Sequence, residues 1–234
     1  MSLQFSSFYQ GILHFLYPRL CEACDKLLLP EEEVLCLNCC VALPQTRYHH
    51  IADNETALRF SGRFPFEHAT SFSYFVKDGI LQQLLHQLKY EGRKANGIFL
   101  GRQFGHSLAA AGWLTDIDCI LPVPLHRLKR RQRGFNQADL LAEGLGLITG
   151  TPVATAVLER TRHTDTQTHK TRRERVENMD TAFRVKDPGR IAGRHVLLLD
   201  DVLTTGATLE ACSLAVLRVP GTRVSLATIG IAIS

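Results

Sequence analysis

The chain has 234 residues, enough for one medium-sized domain with a small appendage and too few for two full enzyme domains. Its 45% hydrophobic and 21% charged residues lie in the globular range and exclude a collagen-like, mucin-like or wholly disordered protein. The net charge is only +4, but two stretches, 126–133 and 160–175, hold eleven of the 27 Lys and Arg residues and only two acidic ones. Charge concentrated in this way indicates a binding site or a tail.

The first residues predict an amphipathic helix, because apolar side chains recur there at helical spacing. These side chains are Phe5, Phe8, Ile12, Phe15 and Leu16. The polar face of the helix carries almost no Lys or Arg, which favours packing on the body of the protein or on a partner over a membrane surface. The chain shows neither a basic leader with a small-residue cleavage site nor a run of about 18 apolar residues, so we expect a cytoplasmic protein without a membrane span.

Five of the seven cysteines fall within residues 21–40, and four of them are spaced as C-x2-C, eleven residues, C-x2-C. This spacing is typical of a tetrahedral zinc site. The predicted zinc ligands are Cys21, Cys24, Cys36 and Cys39, with Cys40 as an alternative to Cys39. Four thiolates leave no open coordination position, so we expect a structural site in which metal binding contributes folding energy. Disulfides are the alternative, but they need an oxidising compartment, which a chain without a leader does not reach.

Residues 46–75 carry little periodic signal and predict a linker or an irregular cap. From residue 76 onward, predicted strands alternate with predicted helices, which favours a mostly parallel sheet flanked by helices. The predicted strands are 118–124, 153–158, 195–199 and 222–233, and the predicted helices are 79–92, 98–111, 137–147 and 206–218.

The segment VLLLDDVLTTGATL, residues 196–209, carries the sharpest functional signal. An apolar strand delivers two adjacent carboxylates, Asp200 and Asp201, at its carboxyl end, where parallel sheets bind their ligands. The turn over 204–208 leads into a helix and offers backbone N–H groups and hydroxyls to a phosphate, while the carboxylates can accept hydrogen bonds from a sugar diol. The alternative is a solvated acidic turn followed by a helix cap. The pattern as a whole favours a sugar-phosphate site.

These fourteen residues resemble, at every position, the phosphoribosyl pyrophosphate (PRPP) signature of type I phosphoribosyltransferases. Further motifs narrow the resemblance: the four spaced cysteines, Lys89-Tyr90, PVPLHRLKRRQRGFNQADLLA at 122–142, and Gln167, Arg172, Arg175 and Asn178 before Phe183. Together they resemble the ComF family, which includes competence proteins and the GntX-like proteins. The resemblance covers nearly the whole chain except residues 45–75.

The resemblance implies an α/β fold of the type I phosphoribosyltransferase class with a small N-terminal zinc-binding subdomain. It divides the chain into an N-terminal helix and zinc knuckle (1–45), a linker or hood (46–75) and a phosphoribosyltransferase-like domain (76–234). The implied PRPP-binding residues are Asp200, Asp201, Thr204, Thr205, Gly206, Ala207, Thr208, Pro124, Leu125, His126 and Arg127. Magnesium would bridge the ribose hydroxyls and the pyrophosphate.

The two basic stretches are the expected partners of the departing pyrophosphate, because cations that bind it more tightly as it leaves lower the barrier. The stretch 160–175 occupies the place of the family's mobile catalytic loop. The candidate catalytic residues are Asp200, Asp201, Arg127, Lys170, Arg172 and Arg173. The alternative is that both basic stretches are solvated faces without a ligand.

Three functional hypotheses follow. The first is transfer of a phosphoribosyl group from PRPP to a nucleobase or related acceptor. The second, implied by the resemblance, is an accessory role in DNA uptake, with single-stranded DNA or competence proteins as partners. The third is PRPP sensing without turnover. The sequence gives neither the acceptor nor the oligomeric state.

Overall fold

A four-stranded parallel sheet forms the centre of the protein, with the strand order β1-β6-β5-β2. The structure is a computed structural model that describes residues 18–161 and 182–233. The strands are β1 Ala69–Phe75, β2 Cys119–Pro122, β3 Leu158–Arg160, β4 Phe183–Val185, β5 His195–Leu203 and β6 Arg223–Ala232. Strands β3 and β4 form a separate antiparallel pair. The parallel sheet and the strands expected at 118–124, 195–199 and 222–233 are confirmed.

Helices cover both faces of the sheet. The helices are α1 Leu37–Ala42, α2 Glu55–Phe60, α3 Ile80–His86, α4 Lys94–Ala110, α5 Arg127–Arg133, α6 Gln137–Thr149 and α7 Ala207–Leu217. A π-helical turn, Gln87–Glu91, continues α3, and short 3-10 turns lie at Tyr48–His50 and Pro188–Arg190. No helix in the two described ranges is long and apolar enough to cross a membrane.

The apolar run of β5 is buried on both faces, which is why it lacks alternation in the sequence. Leu197 and Leu199 point into a core shared with α3, α4, α6 and the cysteine-rich segment. Val196 and Leu198 point into the opposite core, which contains α2 and α7. Because β2 pairs in parallel with β5, both strands end at the same edge of the sheet.

Helices α4 and α6 cross so closely that two glycines are required at the contact. A Cβ atom on Gly101 would lie 2.1 Å from the Leu141 carbonyl oxygen, and one on Gly144 would lie 2.1 Å from the Ile98 carbonyl oxygen. The crossing holds α6 against the sheet, so that its first residue, Gln137, lies at the strand ends.

Strand β1 corrects the interpretation of 46–75 as a linker or cap, because residues 69–75 form an edge strand of the main sheet. Its sequence, ATSFSYF, does not indicate a buried strand, because three of its seven residues carry small hydroxyl side chains. Ser71 is fully buried, and its hydroxyl group is hydrogen-bonded to Thr56 and Thr228, both at 2.7 Å. The strand expected at 153–158 is also corrected, since only Val153 bridges the sheet, at Ile120, and β3 begins at Leu158.

The helix expected over the first residues lies outside the described residues, as do Lys170, Arg172 and Arg173.

Candidate functional site

A cavity of about 320 Å³ opens at the carboxyl ends of β2 and β5. Its walls come from the turn after α3, the β2 loop, α5, the start of α6 and the end of β5. The charged residues that line it are Lys89, Lys129, Arg133, Arg160, Asp200 and Asp201. Four cations facing two carboxylates favour a ligand with several negative charges.

Asp200 and Asp201, the two carboxylates singled out in the sequence, both line this cavity. Lys89 Nζ lies 2.6 Å from an Asp201 carboxylate oxygen, and the Asp201 backbone N–H donates to Asp200 Oδ1 at 2.8 Å. Burial and the neighbouring Asp201 charge raise the pKa of Asp200 to about 7, although Lys89 opposes the shift. An arriving cation would stabilise the Asp200 carboxylate and release its proton.

Asp200 should make stability depend on pH. Its folded pKa of about 7 exceeds the value of about 3.9 for an unfolded chain, so between these pH values the folded state binds more protons. This contribution to the free energy of unfolding is present at low pH and is lost as pH rises through about 7. We expect the free energy of unfolding of Asp200→Asn to vary less with pH than that of the wild type. At pH 8 the variant should be the more stable of the two.

Urea unfolding at pH 5, 6, 7 and 8 would measure this effect. Asp53→Asn, at an exposed turn, is the matched control and should follow the wild-type curve. If the free energy of unfolding changed with pH equally in the wild type and in Asp200→Asn, the raised pKa of Asp200 in the folded protein would be contradicted.

The turn after β5 forms a small concavity of about 40 Å³ that adjoins the main cavity. It is lined by Asp200 and by residues 202–209, which include the predicted Thr204, Thr205, Gly206, Ala207 and Thr208. Gly206 has φ +82°, and a Cβ there would lie 2.8 Å from Phe60 Cε1. Only glycine therefore allows the turn to follow this path against the buried Phe60 ring.

Helix α2 fixes the turn from outside through Arg59. This guanidinium donates to the Thr204 carbonyl oxygen at 2.6 Å and to the Ala232 carbonyl oxygen at 2.7 Å. Arg63 reaches the next carbonyl, of Thr205, at 3.4 Å. Sequence reasoning missed both arginines, because they lie in a segment without periodic signal and act on residues more than 140 positions away.

The loop after β2 brings only part of its predicted residues to the cavity. Pro124 and Leu125 line it. His126 instead caps α5, its Nδ1 accepting from the Leu128 N–H at 3.3 Å, and Arg127 reaches Glu159 at 3.5 Å with its side chain 80% exposed. The cations that face the cavity from this helix are Lys129 and Arg133, which share one helical face.

Gln137, the first residue of α6, supplies an unused donor. The residue is 3% exposed and lines the cavity. Its Nε2 is buried and has no hydrogen-bond partner among the residues of 18–161 and 182–233. A buried donor without a partner costs free energy, so a ligand oxygen there would remove that cost.

The sulfur atoms of Cys21, Cys24, Cys36 and Cys39 all lie within 4.8 Å of one another. The Cys24 and Cys36 sulfurs are 3.7 Å apart, close to the edge of about 3.8 Å that a tetrahedron with metal–sulfur bonds of about 2.3 Å requires. Cys40 is not in the group; its Sγ faces the Leu35 carbonyl oxygen at 3.9 Å. The four thiols could therefore hold a metal such as zinc.

Backbone groups prepare one of these thiols for a metal. The Cys36 N–H donates to Cys21 Sγ at 3.3 Å. Burial acts to raise the pKa of Cys21, but hydrogen bonds from backbone amides, that of Cys36 above all, outweigh it and lower the pKa to about 7. Burial and the other three thiols raise the pKa of Cys39, so a cation is needed to bring all four to the thiolate form.

The cysteine cluster is linked to the main cavity through Glu22. Its carbonyl oxygen accepts from Gln83 Nε2 at 2.8 Å and from Gln87 Nε2 at 3.0 Å. Gln87 begins the π-helical turn that carries Lys89, and buried Asn96 holds Gln87 Oε1 at 2.8 Å. These hydrogen bonds connect the backbone between two of the clustered cysteines to the turn that carries Lys89. Lys89 was part of a motif in the sequence, but nothing there placed it beside Asp201.

Comparison with known proteins supports the same fold. The family model described as a phosphoribosyl transferase domain matches residues 131–229. The chain is 34% identical over 157 residues to the DNA utilization protein YhgH of Salmonella typhi, covering 66% of this chain and 67% of that protein. It is 37% identical over 97 residues to competence protein F of Haemophilus influenzae, covering 41% and 42%, and 35% identical over 91 residues to competence protein ComFC of Bacillus subtilis, covering 39% and 35%.

One solved structure, described as the allosteric regulatory enzyme of purine biosynthesis, aligns with 56% of this chain and 25% of its own at a TM-score of 0.39 and 17% identity. The family match and the parallel sheet confirm the predicted α/β fold of the phosphoribosyltransferase-like class.

Proposed function

We propose, since this chain belongs to the ComF family of phosphoribosyltransferase-like proteins, that its basic cavity binds PRPP and transfers the phosphoribosyl group to an acceptor. One observation carries the proposal: two carboxylates lie at one strand end between a phosphate-sized concavity and a cavity that four cations also line. PRPP carries a phosphate, a ribose and a pyrophosphate in this order, which matches the order of the concavity, the carboxylates and the cations.

The 5-phosphate would bind in the concavity at 204–208, where backbone N–H groups at the start of α7 favour an anion. The ribose hydroxyls would donate to Asp200 and Asp201. The pyrophosphate would then lie toward Lys129 and Arg133, with Gln137 Nε2 donating to one of its oxygens.

Magnesium fits this site, because Asp200 and Asp201 offer hard carboxylate oxygens beside the place where PRPP would present its own. When bound with PRPP, the ion supplies positive charge to the leaving pyrophosphate. Asp200 would lose its proton as that charge arrives, so PRPP binding should release protons near neutral pH.

In the transfer, a bond forms between an acceptor nitrogen and ribose C1 while the bond from C1 to the pyrophosphate oxygen breaks. The electron pair of that bond leaves with the pyrophosphate; an acceptor nitrogen that carries a proton passes it to solvent, and one that reacts through a lone pair becomes positively charged. Lys129, Arg133 and Arg160 stabilise the growing negative charge. Lys170, Arg172 and Arg173, outside the described residues, stay predictions as further catalytic residues, and so does Arg127.

The four clustered cysteines would hold zinc as a structural ion, since the cluster offers four sulfur ligands at tetrahedral spacing. A cytoplasmic location, which stays a prediction, would keep the thiols reduced for this purpose.

Titration calorimetry with PRPP and magnesium tests the proposal. We expect Asp200→Asn with Asp201→Asn to weaken PRPP binding about 100-fold, because hydrogen bonds to charged groups contribute about 1.5–3 kcal/mol each. The Asp53→Asn variant should bind like the wild type. Equal PRPP affinity in the double variant would refute the site.

A pyrophosphate-release assay with a panel of nucleobases, run on the same protein, separates an enzyme from a sensor. Base-dependent release would establish transfer. Binding without release would favour PRPP sensing instead.

A second candidate function is the binding of single-stranded DNA together with competence proteins; the relatives are named as a DNA utilization protein and as competence proteins. It is favoured by the exposed Arg130 and Arg131 of α5, which lie outside the cavity lining. Binding of a labelled oligonucleotide should then weaken with salt and with Arg130→Gln and Arg131→Gln. Affinity that survives both changes would exclude this helix as the DNA contact.

A further inference from the structure

A second cavity, of about 530 Å³, adjoins the first. The two share Lys89, Tyr90, Lys129 and Arg133 as a common wall. A ligand in the second cavity would therefore face the ligand of the first across these four side chains. This is the arrangement that two substrates of one transfer reaction need.

Aromatic rings distinguish the second cavity. Tyr90 and Phe135 both line it, and Tyr90 is 68% exposed although it is a large ring. The Arg133 guanidinium lies 5.3 Å from the Tyr90 ring centroid, and Lys94 Nζ lies 5.3 Å from the Phe135 ring centroid. Exposed aromatic rings stack planar ligands, and the Arg133 guanidinium beside the Tyr90 ring favours a ligand that carries negative charge.

The charge of the lining points the same way. Among the described residues, the cavity is lined by three cations and by one carboxylate, that of Glu91. Lys89 is already paired with Asp201, and His86 lies 3.6 Å from Glu91. Lys129 and Arg133 line both cavities, so an anion in the second cavity would meet them across the wall that it shares with the PRPP cavity.

We propose that this second cavity binds the acceptor and that the acceptor is a planar heteroaromatic ring bearing a carboxylate, rather than a neutral nucleobase. The inference rests on the proposed function and names its second substrate. The ring stacks on Tyr90, the carboxylate pairs with Arg133 and Lys129, and a ring nitrogen faces the PRPP cavity past these residues of the shared wall.

Matched pairs of probes test the inference on the zinc-loaded full chain, with and without PRPP and magnesium. Suitable pairs are nicotinate with nicotinamide and uracil-6-carboxylate with uracil. We expect each carboxylate to bind at least about tenfold tighter than its neutral partner, as one charged hydrogen-bonded pair provides. Calorimetry gives the affinities, and pyrophosphate release shows which probe accepts the phosphoribosyl group.

Variants separate the two contacts. Arg133→Gln should remove the preference for the carboxylate, whereas Arg190→Gln, at an exposed turn far along the chain, should keep it. Tyr90→Ala should weaken both members of a pair, and Tyr90→Phe should restore them because it keeps the ring.

Equal binding of charged and neutral partners would overturn the inference. So would binding of oligonucleotides with no binding of any free carboxylate. The PRPP titration on the same samples keeps the two proposals apart. PRPP binding without a carboxylate preference overturns only the acceptor class, while an Arg133-dependent preference without PRPP binding overturns only the PRPP site.

Discussion

Replacement of both Cys21 and Cys24 by serine should remove about one equivalent of bound zinc and lower the free energy of unfolding by at least about 3 kcal/mol. The expected loss is large because the knuckle supplies core as well as metal ligands. Its Leu28, Val34 and Leu35 are buried in the cluster that also contains α3, α4 and α6. Metal analysis and urea unfolding measure the two effects.

Cys40→Ser is the matched control, since this sulfur lies outside the group of four. It should keep both the metal and the stability. Unchanged metal content in the double variant would refute the cluster as the zinc site.

The same double variant should bind PRPP about five- to tenfold more weakly, because Glu22 would no longer hold Gln83 and Gln87 in place. Lys89 then loses its position beside Asp201. Full PRPP affinity in the zinc-free protein would show that the π-helical turn holds Lys89 without help from the knuckle.

Gly144→Ala should lower the free energy of unfolding by about 3 kcal/mol. The new methyl group would meet the Ile98 carbonyl oxygen at 2.1 Å, and that oxygen belongs to a helix backbone that cannot turn aside. Helices α4 and α6 would have to separate, exposing the core between them. Chemical unfolding with the wild type alongside measures the change.

Gly105→Ala provides the comparison on the same helix pair. Its Cβ would lie 3.1 Å from Ile148 Cβ and 3.2 Å from the Leu145 carbonyl oxygen, much farther than the 2.1 Å contact at Gly144. Alanine also gains about 1 kcal/mol over glycine inside a helix, so the net effect should be near zero. Equal destabilisation by both variants would contradict the close crossing at Gly144.

The turn at 204–208 and the four cysteines could be predicted because the residues of each lie close together in the sequence. Local spacing alone dictates where those side chains go. Lys89, Arg59 and Gln137 could not be predicted as site residues, since each reaches the cavity or its turn through tertiary packing. The basic run at 126–133 shows the limit: its charge is evident from the residues, but the helix it forms determines that Lys129 and Arg133 line the cavity and Arg127 does not.

Strand β1 was missed for a related reason. Hydroxyl side chains normally indicate a surface, but here Ser71 and Thr228 satisfy each other across two neighbouring strands. The partner that makes the strand possible lies 157 residues away, beyond the reach of any local pattern.

The strand order has a consequence for how the chain is made. Among the described strands β6 comes last in chain order; it inserts between β1 and β5 and provides the Ala232 carbonyl oxygen that accepts from Arg59. A nascent or prematurely terminated chain therefore carries two unpaired strand edges and an unanchored turn at 204–208. We expect a chain truncated before residue 223, which lacks β6, to aggregate and to lack a complete site.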